Sequence, residues 1–143
     1  MALNTAPIYS GVGDIQWTTV LTAVNSSYDA ITANVATVFS ASISGSFVQR
    51  IRFKASGSTT ATAARIFINN GSPSGSAENN VLFDEITLPL TTGTQTAATA
   101  VYELSMNIAL PPAYRILATL ATAQSVGGGW YASAIGGSYV TPQ

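Results

Sequence analysis

The sequence predicts an all-β fold: one single-domain, jelly-roll-like β-sandwich of about eight antiparallel strands with an extended N-terminal arm. Three observations carry that expectation. Short runs rich in Val, Ile, Phe and Tyr recur along the chain, and the longest of them alternate apolar and polar side chains with the period of two that a half-buried strand requires. Turn formers punctuate the runs at regular intervals, as in Gly57-Ser58-Thr59, Asn69-Asn70-Gly71, Pro111-Pro112 and Gly127-Gly128-Gly129. At 143 residues, 47% of them hydrophobic, the chain has the material for one core but not for two.

The elements follow in order. Residues 1–13 lack periodicity and carry Pro7 and two glycines, so they are expected to form an arm that orders on a neighbour, with the domain running from 14 to 143. Ile15 to Thr22 and Asn34 to Phe39 are expected to be the first two strands. Alanine content also allows a helix between Val20 and Ala36, but Asn25-Ser26-Ser27 and the β-branched residues argue against it. In the third strand, Phe47 to Lys54, Phe47, Ile51 and Phe53 are expected to face the core, and Arg50, Arg52 and Lys54 the water.

Ala63 to Ile68 forms the next strand, Ser72 to Ser76 an exposed loop, and Val81 to Leu88 a strand stopped by Pro89. From Ala100 onward Tyr102, Leu104, Met106, Ile108 and Leu110 line one face, while Glu103, Ser105 and Asn107 line the other. Tyr114 to Thr122, then Trp130 to Ile135 with Tyr139-Val140, complete the set.

Composition narrows the function. Only 8% of residues are Asp, Glu, Lys or Arg, against about 25% in ordinary soluble domains. Such a surface offers little repulsion against self-association and points to a part of an assembly. A net charge of -1 does not suit phosphate neutralisation, so no nucleic-acid partner is expected. The start has neither the basic nor the apolar region of a signal peptide, and no apolar run approaches the roughly 20 residues of a spanning helix. No membrane partner is expected, and the protein is expected to be made and kept in solution.

Catalytic chemistry is scarce. The chain has no histidine and no cysteine, which removes Ser-His and Cys-His pairs and the usual zinc ligands. Asp14, Asp29, Glu78, Asp84, Glu85 and Glu103 are the whole acid supply. Asp84 and Glu85 are neighbours on a strand and point to opposite faces, so they cannot flank one glycosidic bond; either can pair with Arg65, Arg50 or Arg52. No catalytic residue, cofactor or metal site is expected.

The oxygens crowded at Asn25 to Asp29 and Asn69 to Asn80 leave calcium chemically open, but turn chemistry is the favoured reading. Trp17, Trp130 and Tyr131 could stack on a sugar, yet each lies in a strand, where an aromatic is first of all core, so core or interface packing is the favoured reading. The Arg50, Arg52, Lys54 row has too few charges and no interleaved aromatics for a nucleic-acid groove. It reads as a solvated or subunit-facing surface, or as edge protection.

Val48 to Ala55, Ala64 to Gly71, Leu82 to Ile86, Leu110 to Ile116 and Gly136 to Tyr139, taken in that order and spacing, resemble a family of small virion structural proteins of tailed bacteriophages, similar to capsid decoration or cement proteins. The likeness spans about residues 47 to 140. It implies a non-enzymatic β-sandwich on the capsid exterior, a homotrimer, with the major capsid protein and copies of itself as partners. Pro7, Ile8 and Tyr9 of the arm and Arg50, Arg52 and Lys54 are the expected partner contacts. The competing expectation is a receptor- or glycan-binding tip of a tail fibre, using Trp130, Tyr131 and the loop from Ser72 to Asn80.

Overall fold

A computed structural model describes residues 10–31 and 33–140. Eight strands form in the order β1 (Ser10–Trp17), β2 (Ala36–Ser40), β3 (Ser46–Ser56), β4 (Thr62–Asn69), β5 (Asn80–Leu88), β6 (Val101–Leu110), β7 (Arg115–Leu120) and β8 (Gly129–Tyr139), with one 3-10 turn at Ala77–Asn79. All pairings between strands are antiparallel: β1 with β8, β2 with β7, β3 with β6, and β4 with β5. Those four pairs are what one long hairpin, turning between β4 and β5, would make with itself. Folding that hairpin over brings β3 beside β8 and β4 beside β7.

The result is two four-stranded sheets, β1-β8-β3-β6 and β2-β7-β4-β5, with the chain changing sheet at every connection except β4 to β5. This is the jelly-roll-like sandwich that the strand count and spacing predict.

The core lies between the sheets. Val48, Ile51, Phe53, Ala132, Ala134 and Trp130 from the first sheet meet Val38, Phe39, Ile66, Leu88, Ile116 and Leu120 from the second, all fully or almost fully buried. Trp130 packs edge-to-face on Tyr102, with centroids 5.7 Å apart. The alternation in β6 is as predicted, with Met106 and Leu110 buried and Glu103, Ser105 and Asn107 exposed.

β3 departs from simple alternation. Its register with β8 slips between Val48 and Arg50, so Gln49 is an extra residue. A bulge moves every residue before it to the other face. Val48 is therefore buried and Phe47 is turned outward and half-buried, against the expectation that Phe47 shares the core face with Ile51 and Phe53. Glycine at 136 permits this: a Cβ there would stand 2.1 Å from the Phe47 carbonyl oxygen.

The N-terminal third differs most from expectation. β1 begins at Ser10, so residues 10–13, assigned by their lack of periodicity to the arm, pair with β8 instead. Gly11 and Gly13 remove the side chains that would have shown the alternation. The strand ends at Trp17 rather than Thr22, and no helix forms among the described residues from 18 to 35.

Thr18 and Leu21 still bond to the backbone of Ala132 and Trp130; the chain then crosses at Asn25 to Leu120 and lies over the outer face of β2-β7-β4-β5. There Ala30 and Val35 cover Phe67 and Leu117, a second small apolar cluster. Arg65 is covered too, only 7% exposed. Its Nε donates to Glu85 Oε1 at 2.8 Å, its Nη1 donates to the Ser26 carbonyl at 2.8 Å, and its guanidinium lies 3.8 Å from the Tyr28 ring centroid. The second sheet is thus clad on both sides by its own chain.

Candidate interaction surface

The first sheet has no such cladding among the described residues, and its outer face is the candidate site. Strand register places its side chains in rows that cross the sheet. One row runs Trp17, Ser133, Arg52, Glu103; a second runs Ile15, Ile135, Arg50, Ser105; a third runs Tyr131, Lys54, Val101. Trp17 is 70% exposed, Ile15 59% and Tyr131 44%. With neighbouring strands about 4.8 Å apart, Trp17 and Arg52 lie about 10 Å from each other across β8. Aromatic and aliphatic side chains thus flank a basic row on one pleated surface.

The charges on the rows do not cancel. Arg50 Nη1 lies 3.7 Å from Glu103 Oε2 and Arg52 Nε 3.0 Å from Glu103 Oε1, with all three side chains 42% exposed. The Arg52 N–H is near the carboxylate but not aimed at it, and the Nε of both arginines has no hydrogen-bond partner among the described residues. Lys54 Nζ donates to the Thr99 carbonyl, which holds the ammonium without neutralising it. Three cations therefore face one carboxylate. Pairs this exposed contribute little to stability, so the row is not explained as a folding device.

β3 lies between β8 and β6, an interior position, which rules out edge protection for the row.

The other sequence-predicted residues do not converge here. Pro7, Ile8 and Tyr9 lie outside the described residues. Trp130 is core, as expected, but Trp17 and Tyr131 are not: Tyr131 has the opposite parity to Trp130, and Trp17 ends an edge strand with Ile15 on the same outward side. The loop from Ser72 to Asn80 sits beside Arg115, whose Nε and Nη2 donate to Asn69 Oδ1 at 3.1 and 2.8 Å and whose Nη2 also donates to the Ser72 carbonyl. Asn80 Nδ2 donates to the carbonyls of Asp29 and Ser74. These oxygens serve turns and a guanidinium. Trp130, Tyr131 and this loop therefore do not share one surface.

Glu85 stands directly opposite Arg65 and pairs with it, while Asp84 stands opposite Ile66 across a bulge and is exposed at the outer edge of β5. Arg50 and Arg52 pair with Glu103 instead, a partner that the sequence placed on the right face without singling it out. Among the described residues no three acids come close enough to hold a metal ion. No helix among them is long and apolar enough to cross a membrane, which says nothing of strands. Compared with known proteins, the chain matches no family model, no curated protein and no solved structure.

Proposed function

We propose that the chain is a non-enzymatic structural protein of a tailed-phage virion, a capsid decoration or cement protein that binds the major capsid lattice, associates with copies of itself and stabilises the head. The observation that carries this reading is the asymmetry of the sandwich. One sheet is clad by its own 18–35 segment, while the other exposes Trp17, Ile15 and Tyr131 around a basic row. In a chain with so few charges, exposed aromatic and aliphatic side chains gathered around a basic row are the mark of a surface made to be covered by protein. The Thr- and Ser-rich loops at the sheet ends supply uncharged contacts to the lattice. The sequence resemblance supports the choice of particle.

The test is to mix the purified chain with phage heads that lack it, sediment the heads and count copies bound per particle. Saturation at a multiple set by the lattice symmetry is expected; heads that sediment bare would defeat the reading. A second reading, a glycan-binding tip of a tail fibre, draws support from the exposure of Trp17 and Tyr131, since flat exposed rings stack on sugars. Binding to a glycan array without binding to heads would establish it instead.

A further inference from the structure

The basic row has a counterpart on the same molecule. β5 is the outer strand of the second sheet, with no strand of the described residues on its free side. That edge exposes Val81, Phe83 and Asp84, with Leu90 just beyond the strand, while the neighbouring Glu85 is held by Arg65. Among the described residues Asp84 has no cation within ion-pair distance; its Oδ1 accepts from the Glu85 backbone N–H at 2.8 Å. The register slips beside it, between the residues facing Ile66 and Phe67, so Phe83 is an extra residue on that strand.

Apolar side chains beside the Asp84 carboxylate on this edge match the apolar side chains beside guanidiniums on the outer face of β1-β8-β3-β6. The chain has only five basic residues, and of these Arg50, Arg52 and Lys54 lie on that face.

We infer that the β5 edge of one copy docks on the outer face of β1-β8-β3-β6 of the next, Asp84 against Arg50 and Arg52, in a head-to-tail contact that builds the oligomer. This rests on the self-association in the functional reading above and specifies its geometry. Charge selects the arrangement. Two faces meeting about a two-fold axis would oppose one basic row to another, and two β5 edges would oppose Asp84 to itself, whereas the face-to-edge contact pairs opposite signs. A contact between two different patches closes into a ring when its rotation allows. The contact also meets the needs of both surfaces: the free β5 edge gains a cover, and the arginine pair gains the second carboxylate it lacks.

The experiment measures the mass of the full-length chain by sedimentation velocity across concentration and salt. An oligomer is expected that dissociates as salt rises, since exposed charge pairs are screened. Arg52→Glu and Asp84→Arg should each weaken association by about tenfold or more, and the double variant carrying both should recover it, because the pair is restored with its signs exchanged. Circular dichroism melts identify any swap that fails to fold, and Asp84→Asn, which keeps the shape, then stands in for Asp84→Arg.

An oligomer indifferent to salt and to these changes would overturn the contact while leaving self-association intact. A chain that stays monomeric yet saturates heads would overturn it while leaving decoration intact. If Asp84→Asn makes the chain aggregate, Asp84 guards an open edge and the inference fails.

Discussion

Gly136 shows how one residue shapes the surface. It lies opposite Val48, where β3 takes in the extra Gln49, and has no room for a Cβ beside the Phe47 carbonyl. The bulge it permits turns Gln49 and Arg50 both outward, setting Arg50 in the row with Arg52 and Lys54 while Val48 and Ile51 stay in the core. Gly136→Ala should therefore cost about 1–3 kcal/mol, the usual range for forcing atoms into a packed site. Urea unfolding followed by Trp130 fluorescence measures this, and a midpoint unchanged from the parent chain would show that the strands shift to make room. The same residue marks where the sequence stops being legible. Alternation alone put Phe47 inside, because a bulge is a backbone event caused by a glycine on another strand some ninety residues away, about as far from Phe47 in sequence as the fold allows. Arg50, Arg52 and Lys54 were legible as a row because they follow the bulge, where the period of two is kept. Trp17 was not, since parity says that Ile15 and Trp17 share a side but cannot say which side is wet.

At the scale of elements, the two sheets must be joined along their edges, and Gln16 makes one of those joins. Its Nε2 donates to the Ser40 carbonyl at 3.0 Å and its Oε1 accepts from the Ser40 N–H at 2.8 Å, so a side-chain amide of β1 takes the place of a neighbouring strand for the edge of β2. Removing both bonds by Gln16→Ala should cost about 1–2 kcal/mol and speed amide exchange at Ser40, read by two-dimensional NMR; protection that persists would mean that β2 is held by β7 alone. Strands β3 to β8 were legible in the sequence because each carries several large side chains and most end at Pro or Gly. β1 was legible only in part, since its glycines hide the pattern. The 18–35 segment was not legible as a cover, because its described residues form no helix and no strand. Its work is done by single contacts, such as Tyr28 on Arg65 and Ala30 on Phe67, that no periodicity announces.

For the whole molecule, the pairings set an order of assembly. β4 and β5 join residues close in sequence through one loop, whereas β1 and β8 join Ser10 to Tyr139 across nearly the whole chain. Closing a longer loop costs more entropy before any contact rewards it, so the nested hairpin should form from its turn outward, β4-β5 first and β1-β8 last. A sandwich with such non-local pairing should refold in milliseconds to seconds, slower than helical proteins of similar stability. The order is tested by comparing substitutions at its two ends. Leu88→Ala removes a fully buried side chain from β5 and should lose about 2–5 kcal/mol, and Gln16→Ala removes the seam in β1. If the hairpin nucleates folding, Leu88→Ala slows refolding by a large share of its equilibrium cost, while Gln16→Ala leaves refolding nearly untouched and speeds unfolding instead. Stopped-flow mixing in urea measures both limbs. A fractional effect on refolding as large for Gln16→Ala as for Leu88→Ala would mean that the ends of the chain meet early. The outer face of β1-β8-β3-β6 would then exist before the core closes. With β1 last, that face is completed only as folding ends, so a partner that needs Trp17 and Arg52 together meets a finished sandwich and not an intermediate.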